Sequence, residues 1–271
     1  MIQQLVSAFI ISSGITSLAY RRKSLTGSGV VGGLLVGTLT LGLGGWAWAL
    51  LLGIFFVSSS LLSHFKEGEK REAAEKFEKG HQRDFAQALA NGGLGALIAL
   101  GNALIPSPAW YYLFTGVMAT VTADTWATEL GTLSKTPPRL ITTGNVVEVG
   151  TSGGVSLLGT AVSMLGGLLI GLAAGLAGRR KSFWLLALMG ALSGLIGSLF
   201  DSLLGATVQQ IYYCDQCQKD TERKLHRCGQ TTRPIRGYAW LNNDMVNLLA
   251  SVMGGATAVL LWLLFRRRRS V

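Results

Sequence analysis

Three stretches of this chain contain no Asp, Glu, Lys or Arg at all: residues 24–63, 85–123 and 149–178. A helix rises about 1.5 Å per residue and the hydrocarbon layer of a bilayer is about 30 Å thick, so about 20 apolar residues cross it. The first two stretches are therefore each long enough for two crossings. Charged residues make up only 14% of the 271, against about 25% in soluble domains, too few to build a water-facing surface. The fold class is read as all-α, a polytopic integral membrane protein with one transmembrane domain spanning residues 1–271. The 36 glycines suit helices that approach one another closely inside lipid.

Eight spans are expected, at about 2–19, 29–43, 46–62, 87–104, 110–130, 155–177, 183–208 and 245–265; a seven-span arrangement, with residues 24–63 forming one span and a re-entrant segment, stays open. Gly44-Gly45 beside Trp46 and Trp48 reads as an interfacial turn, as do Pro106 and Pro108 before Trp110, Tyr111 and Tyr112. An even count puts loops 20–28, 63–86, 131–154 and 209–244 on one side. Those loops hold 17 of the 24 Lys and Arg residues, so that side is expected to be cytoplasmic. Arg179 to Lys181 and Arg266 to Arg269 stand against this orientation. The first twenty residues lack a basic start and a small-residue cleavage site, so the first apolar stretch is expected to be a retained helix. The net charge of +10 sits in short flanks between spans, which points to anionic lipid and orientation rather than nucleic acid.

Segment 64–84 reads as a charged cytoplasmic helix, with Glu67/Arg71, Glu72/Lys76 and Glu75/Lys79 at i,i+4 spacing. The charge run needs no more than a solvated helix joining two spans; the alternative is that Lys66, Gln82 and Arg83 at its ends face substrate. Acidic residues inside spans cost about 2.5–3.5 kcal/mol or more near the bilayer centre and need a reason. Here they are Asp124 and Glu129 in the fifth span and Asp201 in the seventh. Measured from interfacial Trp110 and Trp184, Asp124 and Asp201 lie about 21 and 26 Å along their helices. Two carboxylates at similar depth, open to the cytoplasmic side, suit a hard cation such as Mg²⁺ carrying phosphate oxygens. The alternative is that each only caps or bonds a neighbouring helix.

Between the fifth and sixth spans lies a Gly/Thr/Ser-rich loop, 131–154, that runs into a helix N-terminus. It carries Lys135, Arg139, Thr142, Thr143, Glu148, Gly150, Thr151, Ser152, Gly153 and Gly154. Amide groups at such a terminus attract anions and glycines admit close approach, so this is a candidate phosphate-binding loop, against the bland reading of a polar linker. Gly167, Gly171, Gly175, Gly190, Ser193, Gly194 and Gly197 recur at four-residue spacing, a pattern that needs only helix packing. Asn243 and Asn247 share a helix face at the entrance of the last span and either cap it or contact a nucleotide. In loop 211–240, Cys214-x-x-Cys217 with His226-x-Cys228 offers four ligands for a structural, tetrahedral Zn²⁺, against unligated thiols.

These motifs together resemble the membrane-protein family that includes the plant and cyanobacterial phytyl-phosphate kinases and the animal transmembrane-protein-nineteen group. The resemblance covers nearly the whole chain: Leu25-Thr26-Gly27-Ser28-Gly29, Ser58-Ser59-Ser60, Gln82-Arg83, Asn91-Gly92, Ala123-Asp124-Thr125-Trp126-Ala127-Thr128-Glu129-Leu130-Gly131, Pro138-Arg139-Leu140-Ile141-Thr142-Thr143, Gly150 to Val155, Asp201 to Thr207, and the Asn243/Asn247 entrance. More distantly, Asp124, Ala127 and Gly131, with Glu148, Gly150 and Thr151, are similar to motifs of dolichol and phytol kinases, although the Lys and adjacent Glu-Gly of the second motif are not reproduced. The Cys/His cluster is not part of the family pattern. The resemblance implies phosphoryl transfer from a nucleoside triphosphate, CTP, to a prenyl monophosphate drawn from membrane lipid. Asp124, Glu129 and Asp201 would then serve the metal, and Lys135, Arg139 and residues 151–154 would hold phosphates. The rival expectation is a lipid or small-anion transporter without chemistry.

Overall fold

The computed structural model describes residues 2–70, 73, 76–78, 80, 82–178 and 183–267, and the charge-free stretches resolve into paired helices. The helices are α1 (Ile2–Arg21), α2 (Gly27–Leu39, continued by a π-helical turn Thr40–Gly44), α3 (Trp46–His64), α4 (Phe85–Leu104), α5 (Pro108–Gly131), α6 (Leu157–Ala177), α7 (Phe183–Thr207) and α8 (Asn243–Arg267). Residues 24–63 thus hold two helices. The break between them is local: Gly45 sits at φ +83°, a left-handed conformation open to glycine. Trp46 faces outward at this turn, whereas Trp48 turns inward and packs on Tyr111 and Phe114.

Among the described residues, six helices are long and apolar enough to cross a membrane by length and composition. The remaining two, α4 and α5, have 20 and 24 residues. The lower hydropathy of α5 has a structural cause: it is the central helix, packed on α3, α4, α6, α7 and α8, and every residue from Phe114 to Ala123 is buried. A helix screened from lipid by its neighbours can carry polar groups if they are bonded. Thr115 donates to the Tyr111 carbonyl at 2.7 Å, Thr122 to Met118 at 2.7 Å and Thr120 across to Ser193 at 3.0 Å. Large apolar side chains such as Leu157, Leu97 and Trp184 are conversely exposed on the periphery, as a lipid-facing surface requires.

The glycine ladders do the packing that their spacing predicts. Gly167 and Gly171 of α6 face Gly190 and Gly194 of α7, and a Cβ on Gly190 would press into the backbone of Gly167 and Gly171. Gly190→Leu is expected to separate the two helices and lower the melting temperature in detergent by several degrees. A melting curve unchanged from wild type would contradict this crossing.

Helix ends are set by local chemistry. Asp84 and Gln87 form a capping box at α4, Ser107 caps α5 with Pro108 in its first turn, and Ser156 caps α6. Loops 131–154 and 209–244 lie at one end of the bundle with segment 64–84, while Gly44, Pro106 and Gly178 meet around a small cleft at the other. The opposing segment 179–181 lies outside the described residues.

Two loops contain short strands. β1 (Arg139–Leu140) pairs with β2 (Gly154–Val155), and β3 (Ile211–Cys214) lies between β4 (Lys219–Thr221) and β5 (Arg233–Arg236), all antiparallel. Segment 64–84 differs from the continuous helix expected. Phe65 leaves the helix at ψ 122°, Lys66 takes a left-handed φ of 51°, and residues 65–70 form turns; among the described residues beyond them only Ala73 and Lys76 are helical. The chain doubles back here so that Lys70 and Ala73 become buried. Each of the three i,i+4 pairs includes a residue outside those described.

Candidate functional site

At the loop-rich end the helices splay around a cavity of about 610 Å³. Asp124 and Asp201 both line it, one from α5 and one from α7. The Ser198 hydroxyl donates to Asp124 Oδ1 at 3.3 Å. Asp201 follows Ser198 by three residues, so it stands on the same face of α7. Its Oδ2 is buried without a hydrogen-bond partner among the described residues. A buried carboxylate oxygen left in that state is costly unless a cation or a proton meets it.

A third carboxylate arrives from the loop after α7. Glu222 follows β4 and lines the same cavity. Its Oε1 accepts from Ser152 at 2.9 Å and from Gln209 at 2.8 Å, and its Oε2 accepts from the Glu78 amide at 3.3 Å. The surrounding protein pushes this carboxyl above the usual range, opposed chiefly by the Ser152 bond. Glu222 thereby ties together segment 64–84, loop 131–154 and loop 209–244. Its neighbour Thr221 and its own amide also bond the Lys76 carbonyl, at 3.1 and 2.9 Å.

Glu129 lines the cavity too, but both its oxygens are engaged. Ser63 donates to Oε1 at 2.6 Å and Lys70 pairs with Oε2. Lys70 directs its other bonds at the Leu62 and Ser63 carbonyls, at 2.8 and 3.2 Å. An ammonium has three donors, and here all serve structure: two meet last-turn carbonyls of α3, of which Leu62 also accepts from the Phe65 amide at 3.1 Å, and one reaches α5. Arg83 lines the cavity from the segment before α4, its Nη1 donating to Ser60 at 3.0 Å and its guanidinium over Phe55 and Phe56. Arg227 lines it from the loop carrying the cysteines. Asn91, Asn243 and Asn247 add amides to the wall, and Asn242 rather than Asn243 accepts the α8 start, from the Met245 amide at 3.1 Å.

Loop 131–154 divides. Gly150, Thr151, Ser152, Gly153 and Gly154 line the cavity. Gly150 and Gly153 are left-handed, at φ +82° and +84°, and press against Ala73 and against Ala206 of α7, so both have a packing reason as well. Lys135, Arg139, Thr142, Thr143 and Glu148 do not line the cavity. A tight turn closes within this loop, the Leu140 amide donating to Asn145 at 2.9 Å and the Gly144 amide to Leu140 at 2.8 Å, and Lys135, Thr142, Thr143 and Glu148 stand exposed. Arg139 is exposed and closes its own turn by donating to the Gly144 carbonyl at 2.8 Å. Glu148 pairs with Lys76 at 2.7 Å, which holds its carboxyl below the usual range. Lys66 is likewise exposed and bridges Glu69 at 3.0 Å.

Residue patterns give no warning of Lys70, Ser198, Gln209 or Glu222 in the cavity. The signal for Glu222 is its place within the Cys/His loop, whose pattern draws attention only to its metal ligands.

The Cys214, Cys217, His226 and Cys228 ligand atoms lie within 4.8 Å of one another. Cys214 and Cys228 sulfurs are 3.7 Å apart, and His226 Nδ1 is 3.1 Å from Cys228 Sγ. The His226 contact draws the Cys228 thiol down to about 6, while the hydrogen bond to Cys228 holds Cys217 up at about 11.

The donor set of the main cavity fits Mg²⁺. This ion takes hard oxygens, keeps several waters and needs only one or two carboxylates beside substrate phosphates. Asp124 and Asp201 supply those, with Asp201 Oδ2 lacking a partner among the described residues.

The integral membrane protein family DUF92 matches residues 10–255. Protein PGR of Arabidopsis thaliana is 34% identical, over 92% of this chain and 93% of its own length. An uncharacterized membrane protein of Methanocaldococcus jannaschii is 33% identical, over 97% and 95%. The chloroplastic protein VTE6 of Arabidopsis thaliana is 26% identical, over 88% of this chain and 65% of its own. No solved structure matches. A match over most of the chain, on a bundle with this helical pattern, makes the protein a member of the DUF92 integral membrane family.

Proposed function

We propose that this protein is a membrane-embedded kinase that transfers the γ-phosphoryl group of a nucleoside triphosphate, CTP, to a prenyl monophosphate, giving the prenyl diphosphate. One observation carries the reading: Asp124 and Asp201, carboxylates of two different spans, line one cavity together with the glycine-rich segment Gly150–Gly154 at the loop-rich end of the bundle. Between that cavity and the opposite cleft α5 is sealed by Phe114, Val117, Met118 and Val121, all buried. Asp124 lies thirteen residues from Tyr111 at the cleft, about 20 Å along the helix. A prenyl tail partitions into lipid and leaves its phosphate at the surface, where water-soluble nucleotide also arrives. The motif resemblance to phytyl-phosphate kinases supports the same chemistry.

In the reaction an oxygen of the prenyl phosphate attacks the γ-phosphorus, and the bond from that phosphorus to the β–γ bridging oxygen breaks, releasing the nucleoside diphosphate. The attacking oxygen is already anionic, so no strong base is needed; the protein's task is positioning and charge neutralisation. Asp124 and Asp201 would hold Mg²⁺, which when bound supplies charge neutralisation at the phosphates. Arg83 and Arg227 face the anionic groups, and Asn243 and Asn247 offer amides to the nucleotide. Glu129 keeps Lys70 in place rather than serving the metal directly.

Purified protein should be given prenyl monophosphates of several lengths with CTP, ATP, GTP or UTP, and the products separated by chromatography. Diphosphate formation, fastest with CTP, is expected. Absence of diphosphate under every pairing, with prenyl phosphate or a small anion moving across proteoliposomes, would establish the transporter instead.

A further inference from the structure

The loop between α7 and α8 contains two hairpin turns that face each other. β3 ends at Cys214, which pairs with Lys219 of β4, so Cys217 sits in the connecting turn and Gln218 takes a left-handed φ of 53° to close it. In the second, Leu225 bridges Thr231, the His226 amide donates to Gln230 at 2.9 Å, and the Gly229 amide returns to His226 at 2.9 Å with Gly229 at φ +85°. Each turn projects two ligands: Cys214 with Cys217, and His226 with Cys228. A four-coordinate ion with Zn–S bonds of about 2.3 Å separates its sulfurs by about 3.8 Å. The Cys214–Cys228 separation is 3.7 Å, and all four ligand atoms stay within 4.8 Å.

We propose that these two turns form a closed zinc knuckle, with Cys214, Cys217, His226 and Cys228 holding one structural Zn²⁺. Soft thiolates with one imidazole select zinc over the hard cations of the neighbouring cavity. Three thiols bind as thiolates and release their protons, and four protein ligands leave no position for water or substrate, so the ion is structural. Its placement gives it a task. Arg227 stands between two of the ligands and lines the main cavity, and Glu222 follows the β4 strand of the first turn. Fixing the knuckle therefore fixes one cationic and one acidic member of the cavity wall. The inference does not depend on the kinase reading.

Full-length protein purified without added metal and dialysed against a weak chelator should retain about one zinc per chain by elemental analysis. Its thiols should react only after a strong chelator removes the ion. Cobalt exchanged into the site should show the intense visible spectrum of tetrahedral thiolate coordination. Cys217→Ser and His226→Ala should each lose most of the zinc. A zinc content under about one-fifth per chain with three reactive thiols, or with two of them joined in a disulfide, would overturn the proposal, and so would an octahedral cobalt spectrum. Undiminished zinc in both variants would also overturn it. Should the variants fail to fold, zinc content, thiol reactivity and the cobalt spectrum of the unaltered protein decide the matter.

Discussion

Asp124→Asn and Asp201→Asn are each expected to lower prenyl diphosphate formation by about a thousandfold, with insertion and purification intact. The substitution removes one charge and changes side-chain size little. A group that acts on transition-state charge commonly contributes several kcal/mol, and about 4 kcal/mol corresponds to that factor. An amide is less costly to bury than a carboxylate, and in Asp124→Asn its oxygen would still accept from Ser198, which lies at 3.3 Å from the native carboxylate. Prenyl-phosphate binding should survive better than turnover, because on the proposed reading the tail and the cavity-lining Arg83 and Arg227 would hold that substrate. Turnover, ligand binding and detergent stability should be measured together on each variant. Near-normal turnover in both would remove these carboxylates from the chemistry.

Glu129→Gln is expected to act first on stability. Side-chain exposure is only 9% for Lys70 and 19% for Glu129, so removing the carboxylate strands a buried ammonium, a change that costs about 3–5 kcal/mol in comparable pairs. The Ser63 contact can persist with the amide, which isolates the charge as the cause. Adding Lys70→Met should recover much of the lost stability, because no buried charge then remains, although the Leu62 and Ser63 carbonyls of α3 each lose the ammonium as a donor. Melting in detergent for wild type, single and double variants tests this. A single variant as stable as wild type, or a double variant worse than the single, would show that the pair does not hold segment 65–70 to α5.

Much of the architecture was legible from the chain itself. Hydrophobic length and the absence of charge are properties of consecutive residues, and lipid imposes them helix by helix. Hence residues 24–63 and 85–123 announced two helices each, and Gly45 and Pro108 marked where they turn. The small-residue ladders on α6 and α7 were legible for the same reason, since a four-residue repeat is one helix face. Asp124 and Asp201 were also legible, as acids where acids are expensive. So was the Cys/His quartet, because metal chemistry restricts ligand type and spacing.

Which polar residues share a cavity was decided by tertiary structure alone. Lys135, Arg139, Thr142, Thr143 and Glu148 belong to the same loop as Gly150 to Gly154, yet they stand exposed away from the cavity that those glycines line. Lys70 reads as one charge among many in segment 64–84 until the left-handed turn at Lys66 brings it under α3 and against Glu129. Glu222 reaches Ser152 across seventy positions of sequence, and Ser63 reaches Glu129 across sixty-six. Periodicity and hydropathy describe how a segment meets its solvent. Contacts between distant segments depend on backbone turns and close packing that no local pattern encodes, and in this protein those contacts determine which charges are neutralised in pairs and which face the cavity.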